Sequence, residues 1–280
     1  MNALKETKKK HLLAILKYLY LHNSSTMNEL VENLQLSQPS IRNMVRTLQE
    51  KQLIQEVGND LSSGGRCPTR FALNEKNYLI LCLYVQVDKV IYQLRNFNEI
   101  KKEGILFYQS EDELKKTIKD LIDQEKIHCC QIAVEGIVYE DVYVTDHHNV
   151  LEKHQWLKDI KKEINIPLQL QNDVKMIHQG CYFTYQQDST YYLYINEVGI
   201  GSSYFYKDEP LYGRSGIMGE IGLISLKGKT INQQIRECQN QEEFNEILSL
   251  LLSIVFTMID PKRLELSLDL KWRYEKNIIE

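Results

Sequence analysis

Residues 26–73 read TMNELVENLQLSQPSIRNMVRTLQEKQLIQEVGNDLSSGGRCPTRFAL, and this stretch determines how the rest of the chain is interpreted. Thr26 is a good helix cap, and Glu29 stands three residues later, where its carboxylate can bond the cap's own N–H. Ser37 is a second cap, and Pro39 falls in the first turn after it, where a missing backbone donor costs little. The pattern predicts two short helices separated by a tight break.

The second of these helices has two chemically different faces. Its apolar residues recur at helical spacing and are expected to face inward: Ile41, Met44, Val45 and Leu48. The opposite face and the amino-terminal end carry groups that hydrogen-bond phosphates or base edges: Gln38, Ser40, Arg42, Asn43 and Arg46. This composition is typical of a DNA recognition helix.

Two short strands are predicted directly after this helix, at residues 53–57 and 69–73, joined by a glycine-rich loop. Arg66 is the cation at the tip of that loop, where a wing usually lies over the DNA backbone or minor groove. With a first helix over residues 5–21, the segment is interpreted as a winged helix-turn-helix. The alternative is a small helical domain whose polar faces are merely solvated.

Charge and composition agree with a DNA-binding domain at the amino terminus, here called the head (residues 1–75), followed by a domain that does not contact DNA, here called the body (residues 76–280). Residues 1–75 hold ten Lys/Arg against seven Asp/Glu, whereas the remainder holds 24 against 31.

The six cysteines include no C-x-x-C pair, which favours reduced thiols in a cytoplasm and argues against a structural zinc site. No signal peptide is recognised, and the most apolar segment, residues 247–259, is too short to span a bilayer. We therefore expect a cytoplasmic protein without a membrane partner.

From residue 76 onward, strand-like runs alternate with amphipathic helices, which predicts an α/β domain. The expected domains are a winged helix-turn-helix over 1–75 and a body over 76–280. Helices are predicted at 111–125, 156–163, 174–185 and 242–259, and a buried strand at 127–134. A hairpin is predicted at 191–206, with Gly199 and Gly201 in its connection.

The order of motifs resembles the ROK family, which comprises repressors, such as the xylose and N-acetylglucosamine repressors, together with bacterial sugar kinases. In the head the resemblance rests on LSQPSIRNMVRTLQEKQLIQEVG and SSGGRCPTRFALN. In the body it rests on IAVEGIV, QLQNDVKM, VGIGSSYFYKDEPLYGRSGIMGEIGL and MIDPKRLEL. The resemblance implies an actin-like (ribonuclease H-like), two-lobed sugar-kinase-type domain behind the winged helix.

The resemblance also implies a ligand site. The family's kinases place a catalytic base in an Asn-Asp motif that here matches Asn172 and Asp173, a pair that also binds sugar hydroxyls. Glu220 matches the family's sugar-contacting glutamate. These three residues are the expected ligand-binding positions.

Several departures from the family pattern argue against catalysis and against zinc. Leu223 stands where a zinc-binding histidine is expected, and no cysteine-rich motif follows it. The first phosphate motif has become VQVDKV at 85–90, without glycine, and only Gly199-Ile200-Gly201 remains of the second. The helix-strand junction that normally has Pro-Gly has Glu135-Gly136. Because the sequence stops at Glu280, the second lobe is expected to be truncated.

The sequence thus predicts a transcriptional regulator, a repressor of carbohydrate genes, that needs no cofactor or metal. It would bind a near-palindromic operator in double-stranded DNA as a homodimer or higher homo-oligomer, with a sugar or sugar phosphate as effector. Two alternatives stay open. One is a sugar kinase that phosphorylates a hexose with ATP, and the other is a regulator whose body only dimerises.

Overall fold

The computed structural model describes residues 2–59, 67–147, 150–185, 188–207 and 209–270. The chain forms two compact units. The first contains the residues up to Cys82 together with Tyr92–Gly104 and Leu121–Cys130, and the second contains Leu83–Ile91, Ile105–Asp120 and the residues from Gln131 onward. The predicted domain boundary between residues 75 and 76 stays a prediction.

The amino-terminal part of the first unit contains three helices and a small antiparallel sheet. The elements are α1 Asn2–His22, β1 Ser25–Thr26, α2 Met27–Leu34, α3 Gln38–Glu50, β2 Ile54–Asn59 and β3 Thr69–Leu73. The sheet has the strand order β1-β3-β2. The two predicted helices are therefore present, and the two predicted strands are present with their ends shifted by at most two residues.

Local capping explains where these helices begin. The Thr26 hydroxyl accepts from the Glu29 backbone N–H at 3.2 Å, and a Glu29 carboxylate oxygen accepts from the Thr26 N–H at 2.8 Å. The pKa of Glu29 is lowered, first by this bond from the Thr26 backbone. Ser37 caps α3, and Gln35, in the left-handed region at φ 52°, ends α2. The caps predicted from the sequence are confirmed.

The apolar face of α3 packs into one core with α1, α2 and the hairpin. All four residues predicted to face inward are buried in it, next to Ile15, Leu19, Leu30 and Phe71. Arg70 on β3 reaches Glu29 on α2 with a 3.3 Å ion pair, which ties the hairpin to the second helix. The direction in which α3 presents its polar face follows from this packing.

Residues 74–154 are mostly strands. They begin with a 3-10 turn at Glu75–Asn77. The elements that follow are β4 Ile80–Val85, β5 Lys89–Arg95, β6 Ile100–Phe107, α4 Glu111–Asp123, β7 Cys129–Val134, β8 Ile137–Tyr139, β9 Val142–His147 and β10 Val150–His154. The last three strands form an antiparallel sheet of their own, in the order β10-β9-β8. They were not predicted from the sequence.

Residues 156–270 alternate between helices and strands, with a 3-10 turn at Ile221–Leu223. The elements are α5 Trp156–Glu163, β11 Leu168–Asn172, α6 Asp173–Tyr185, β12 Ser189–Asn196, β13 Ile200–Tyr206, β14 Glu209–Pro210, β15 Ser225–Leu226, β16 Lys229–Thr230, α7 Ile231–Glu237, α8 Gln241–Met258 and β17 Arg263–Asp269. Helix α5 has the predicted bounds, whereas the short helix α7 was missed.

Two larger sheets organise these elements. One has five strands in the order β11-β7-β4-β5-β6, and the other has four in the order β14-β13-β12-β17. Within the four-stranded sheet β12 runs antiparallel to β13 and parallel to β17, and the apolar side of α8 packs into the same core through Phe244, Leu248 and Leu251. The arrangement is a mixed α/β fold.

The sequence interpretation placed Gly201 in the connection of the β12–β13 hairpin, and this was wrong. Gly201 lies inside β13 and pairs with Tyr194. A side chain at this position would bring its Cβ within 2.5 Å of a Val174 methyl group on α6. Glycine is therefore used here for the close approach of a helix to the sheet, and not for a turn.

No helix among the described residues is both long and apolar enough to cross a membrane.

Candidate functional site

Asn172 and Asp173 stand at the junction where β11 ends and α6 begins. Both polar atoms of the buried Asn172 side chain form hydrogen bonds within the protein. Its Nδ2 donates to the Gly136 carbonyl at 2.9 Å, and its Oδ1 accepts from the Lys175 backbone N–H at 3.0 Å. Asn172 thus caps α6 and fixes the position of Gly136, while one amide hydrogen and one lone pair remain for a ligand.

Asp173 belongs to a group of acidic and phenolic side chains that the sequence interpretation did not bring together. The Tyr84 hydroxyl lies 2.8 Å from a Glu135 oxygen and 3.2 Å from Asp173 Oδ2. Burial, and then the charge of Glu135, raise the pKa of Asp173 to about 6. Since a phenol has a single proton, Tyr84 can donate to one carboxylate only, and a protonated Asp173 can complete the second bond by donating to the Tyr84 oxygen.

Glu220 is placed near this group by the turn at Gly219. Burial raises the pKa of Glu220 to about 7; the Lys175 ammonium opposes this shift, and the Asp173 charge adds to it. Lys175 is itself 2% exposed, and its Nζ donates to the Gly216 carbonyl at 2.9 Å. Burial lowers the pKa of this lysine. Glu220 therefore interacts with the buried Lys175 ammonium on one side and with the Asp173 carboxyl on the other.

A stability prediction follows from the raised pKa of Glu220. A carboxyl whose pKa rises on folding contributes stability that is complete below its unfolded value, near 4.5, and is lost as the pH rises through about 7. We expect Glu220→Gln to raise the free energy of unfolding at pH 8 by about 1–2 kcal/mol and to change it little at pH 4.5. Urea unfolding at both values tests this, and equal effects at the two pH values would contradict it.

A cavity of about 520 Å³ opens beside these residues. Its polar wall contains Tyr84, Glu135, Asn172, Asp173, Glu220 and Asn232, and Leu223 contributes to its apolar wall. This volume is within the range of small-ligand pockets, and the combination of carboxylates with amides suits a ligand rich in hydroxyl groups, which needs both acceptors and donors. Asn172, Asp173 and Glu220, the three residues predicted from the sequence to bind a ligand, all line this cavity.

The backbone of the Gly199-Ile200-Gly201 segment is already hydrogen-bonded within the protein. Asn196 Oδ1 accepts from the N–H groups of Val198 and Gly199, both at 2.9 Å, and Asn232 Oδ1 accepts from the Ile200 N–H at 2.8 Å. A phosphate-binding loop works through backbone N–H groups that point at the ligand. Here side-chain amides occupy those donors.

Metal-binding residues do not cluster in the part of the chain that the structure describes: no three His, Cys, Asp or Glu side chains come close enough together to hold an ion.

The second group of predicted residues lies on α3. Gln38, Arg42, Asn43 and Arg46 are exposed, whereas Ser40 is partly buried and its hydroxyl bonds Ser37 Oγ at 2.8 Å. Arg46 Nε bonds Glu50 at 2.9 Å, with both side chains more than 60% exposed. Arg66 and the predicted loop tip lie outside the described residues.

Sequence reasoning missed Tyr84 and Asn232 as residues that line the cavity, and Lys175 as the ammonium that interacts with Glu220. Of these three residues, Lys175 alone lies near a predicted site residue in sequence. It stands three residues after Asn172, at the position whose backbone N–H a helix-capping side chain bonds. Tyr84 and Asn232 come from segments far from Asn172 in sequence, so nothing in their own neighbourhood indicates their role.

The ROK family pattern matches residues 104–249, which is more than half of the chain. The chain belongs to the ROK family. This ROK chain is 24% identical to the xylose repressor of Staphylococcus xylosus in an alignment of 229 positions that covers 74% of the chain and 58% of the repressor. It therefore spans a little over half of that relative's length.

Solved structures show the same mixed α/β, actin-like sugar-kinase fold. A ROK transcriptional regulator, a homologue of the E. coli MLC protein, superimposes with a TM-score of 0.61 at 16% identity, over 84% of this chain and 66% of that one. A Streptococcus pneumoniae ROK protein in complex with sucrose gives 0.56 at 13% identity, over 68% and 80%. A proposed N-acetylmannosamine kinase from Listeria monocytogenes gives 0.50 at 13% identity, over 68% and 83%. The fold is thus shared by regulators and kinases.

Proposed function

We propose that this ROK chain is a sequence-specific DNA-binding transcriptional regulator, a repressor of carbohydrate genes that works as a homodimer. The observation that carries the proposal is the exposed face of α3, where Gln38, Arg42, Asn43 and Arg46 stand opposite a fully buried apolar face. These side chains supply bidentate donors and acceptors suited to base edges and phosphates. The similarity to a xylose repressor supports the same function.

The elements around α3 support the interpretation as a winged helix-turn-helix. Helix α2 ends at a left-handed Gln35 only a few residues before Ser37 starts α3, and the β2–β3 hairpin follows directly. In such domains the second helix enters the major groove and the hairpin lies against the backbone or minor groove. We assign base readout to α3 and a backbone contact to Arg66.

Selection of bound sequences from random duplex DNA by the full chain tests the regulator function. We expect an inverted repeat, because a symmetric dimer presents two identical reading helices to two half-sites. Affinity should fall steeply with salt as Lys and Arg contacts release counterions. Failure to enrich any motif would contradict the proposal.

The cavity at Asp173 and Glu220 is proposed to hold a sugar as effector. Its carboxylates can accept from adjacent hydroxyl groups, and a structurally similar ROK protein was solved with sucrose. A sugar bound there changes DNA affinity only if it binds one arrangement of the protein better than the other. Binding and regulation are therefore separate measurements.

Calorimetry with xylose, glucose, N-acetylglucosamine and sucrose tests this site. We expect one of these sugars to bind, and Glu220→Ala to weaken its binding at least about tenfold, because hydrogen bonds to a charged acceptor contribute about 1.5–3 kcal/mol. The exposed Glu209→Ala is the matched control and should bind like the wild type. No heat with any sugar would favour a body that only dimerises.

Kinase activity is the second candidate function, because kinases share the fold. Two features argue against it: the donors of the Gly199 segment are bonded to Asn196 and Asn232, and the turn at residues 86–88 has no glycine. An ATP-coupled assay with hexoses and amino sugars should show no turnover. Turnover that is lost in Asp173→Asn would establish the kinase instead.

A further inference from the structure

The wall of the proposed sugar cavity contains more carboxyl groups than cations. Its carboxyl groups belong to Glu135, Asp146, Asp173 and Glu220. Arg236 supplies the one guanidinium of the described lining, and its Nη1 donates to the Val198 carbonyl at 3.1 Å. The Lys175 ammonium, which is not part of the lining, interacts with Glu220. Negative charge therefore remains in excess at the cavity even when both cations are counted.

Two of these carboxyl groups meet at a single hydroxyl. Tyr84 Oη lies 2.8 Å from Glu135 Oε1 and 3.2 Å from Asp173 Oδ2. Burial, and then the charges of Asp173 and Glu135, raise the pKa of Tyr84, so its one proton stays on the phenol and serves one carboxylate at a time. Gln86 Nε2 also donates to Glu135 Oε1, at 3.2 Å. These bonds hold the Glu135 and Asp173 carboxyl groups side by side.

Carboxyl groups held in this way repel each other when they are ionised. After burial, the Glu135 charge raises the pKa of Asp173, and the Asp173 charge adds to the raised pKa of Glu220. Such repulsion is relieved by a proton or by a cation within about 4–6 Å. A positively charged group of a ligand therefore gains free energy at this wall that a neutral group does not gain.

An ammonium group matches the wall better than a hydroxyl or a phosphate. It has three N–H donors and a full positive charge, so it can bond two carboxylates at once, whereas a hydroxyl has one proton to donate. Hydrogen bonds between charged partners are also roughly twice as strong as neutral ones. A phosphate would add a like charge beside Glu135 and Asp173. The Asn172 and Asn232 amides of the same wall suit the hydroxyl groups of a sugar.

We propose that the cavity is selective for a sugar with a free ammonium group, that is, an amino sugar without an acetyl group, and that Glu135 determines this preference over neutral and phosphorylated sugars. The sequence motifs indicated Asn172, Asp173 and Glu220 as ligand-binding residues, but not Glu135. The inference rests on the proposed sugar cavity and names the class of its ligand.

Calorimetry with the full chain at pH 7 tests the selectivity. Glucosamine, mannosamine and galactosamine are each compared with the N-acetylated form and with the parent hexose, and glucose 6-phosphate is compared with glucose. We expect at least one amino sugar to bind about tenfold or more tightly than both of its neutral counterparts, and glucose 6-phosphate to bind more weakly than glucose. If the hexoses bound as tightly as the amino sugars, the selectivity would be wrong and the sugar cavity would stand. If no sugar bound, both proposals would fail.

Glu135→Gln tests the residue, because it keeps the size of the side chain and its ability to bond Tyr84 but removes the charge. We expect it to weaken binding of the amino sugar at least about tenfold and to change binding of the parent hexose by no more than about threefold. The ratio of the two affinities is the readout, since a folding defect would weaken both.

Glu140→Gln is the matched control for this variant. It removes the same charge from an exposed residue of the β8–β9 hairpin that does not line the cavity, so the amino sugar should bind as it does to the wild type. The role of Glu135 is overturned if Glu135→Gln keeps the wild-type ratio of affinities, or if Glu140→Gln lowers that ratio equally.

Discussion

Gly136→Ala is expected to lower the free energy of unfolding by about 2–5 kcal/mol, the largest effect of any substitution considered for this chain. Gly136 has φ 106°, a region that residues with a Cβ avoid, and an added Cβ would stand 2.2 Å from the Val144 carbonyl oxygen. Val144 cannot withdraw easily, because it pairs with Ile137 in the β8–β9 ladder. Urea unfolding of the variant measures the loss.

Gly180→Ala is the matched control for this substitution. Gly180 lies inside α6, and a Cβ there would meet nothing within 4 Å. Alanine should therefore stabilise the chain by about 0.5–1 kcal/mol, because it restricts the unfolded chain and suits a helix. If Gly136→Ala unfolded at the same urea concentration as the wild type, the backbone described for the wall of the cavity would be wrong.

Arg42→Ala is expected to weaken binding to the selected operator by about 1–3 kcal/mol, the second large effect. Arg42 is exposed on α3, and no ion pair joins it to another described residue, so its guanidinium can bond a base edge without breaking a contact. Arg46 must first release Glu50, so Arg46→Ala should cost less. Fluorescence anisotropy at fixed salt concentration gives both values.

Two further variants separate base readout from general charge. Arg214→Ala removes one exposed cation from the body and should leave operator affinity unchanged. Glu50→Gln frees Arg46 and removes a negative charge from α3, so it should strengthen binding to every duplex. If Arg42→Ala weakened operator and random DNA equally, the reading face would have been assigned to the wrong side of the helix.

The amino-terminal elements were predictable because their signals are local. A cap and its partner are three residues apart, as in Thr26 and Glu29, and the inward face of α3 follows helical spacing. The β8–β10 sheet was missed for the opposite reason. Its strands lack a continuous apolar face, as the 70% exposure of Leu151 shows, and their pairing and the packing of Tyr143 against Trp156 decide their structure.

The site was predictable only where a motif was continuous in sequence. Asn172, Asp173 and Glu220 were found through short motifs. In contrast, Tyr84 reaches Asp173 across 89 residues, and the pKa of Asp173 is raised by burial and by the charge of Glu135, which lies 38 residues away in sequence.

The most direct test of the regulator proposal is the ratio of affinities for the selected duplex and for a scrambled duplex of equal length, measured at one salt concentration. For the wild type we expect a ratio of about a thousand or more, as specific DNA-binding proteins show. The Arg42→Ala, Arg46→Ala double variant should keep its affinity for the scrambled duplex within about tenfold and lose most of the ratio. A wild-type ratio near one would contradict the proposal that α3 reads DNA sequence.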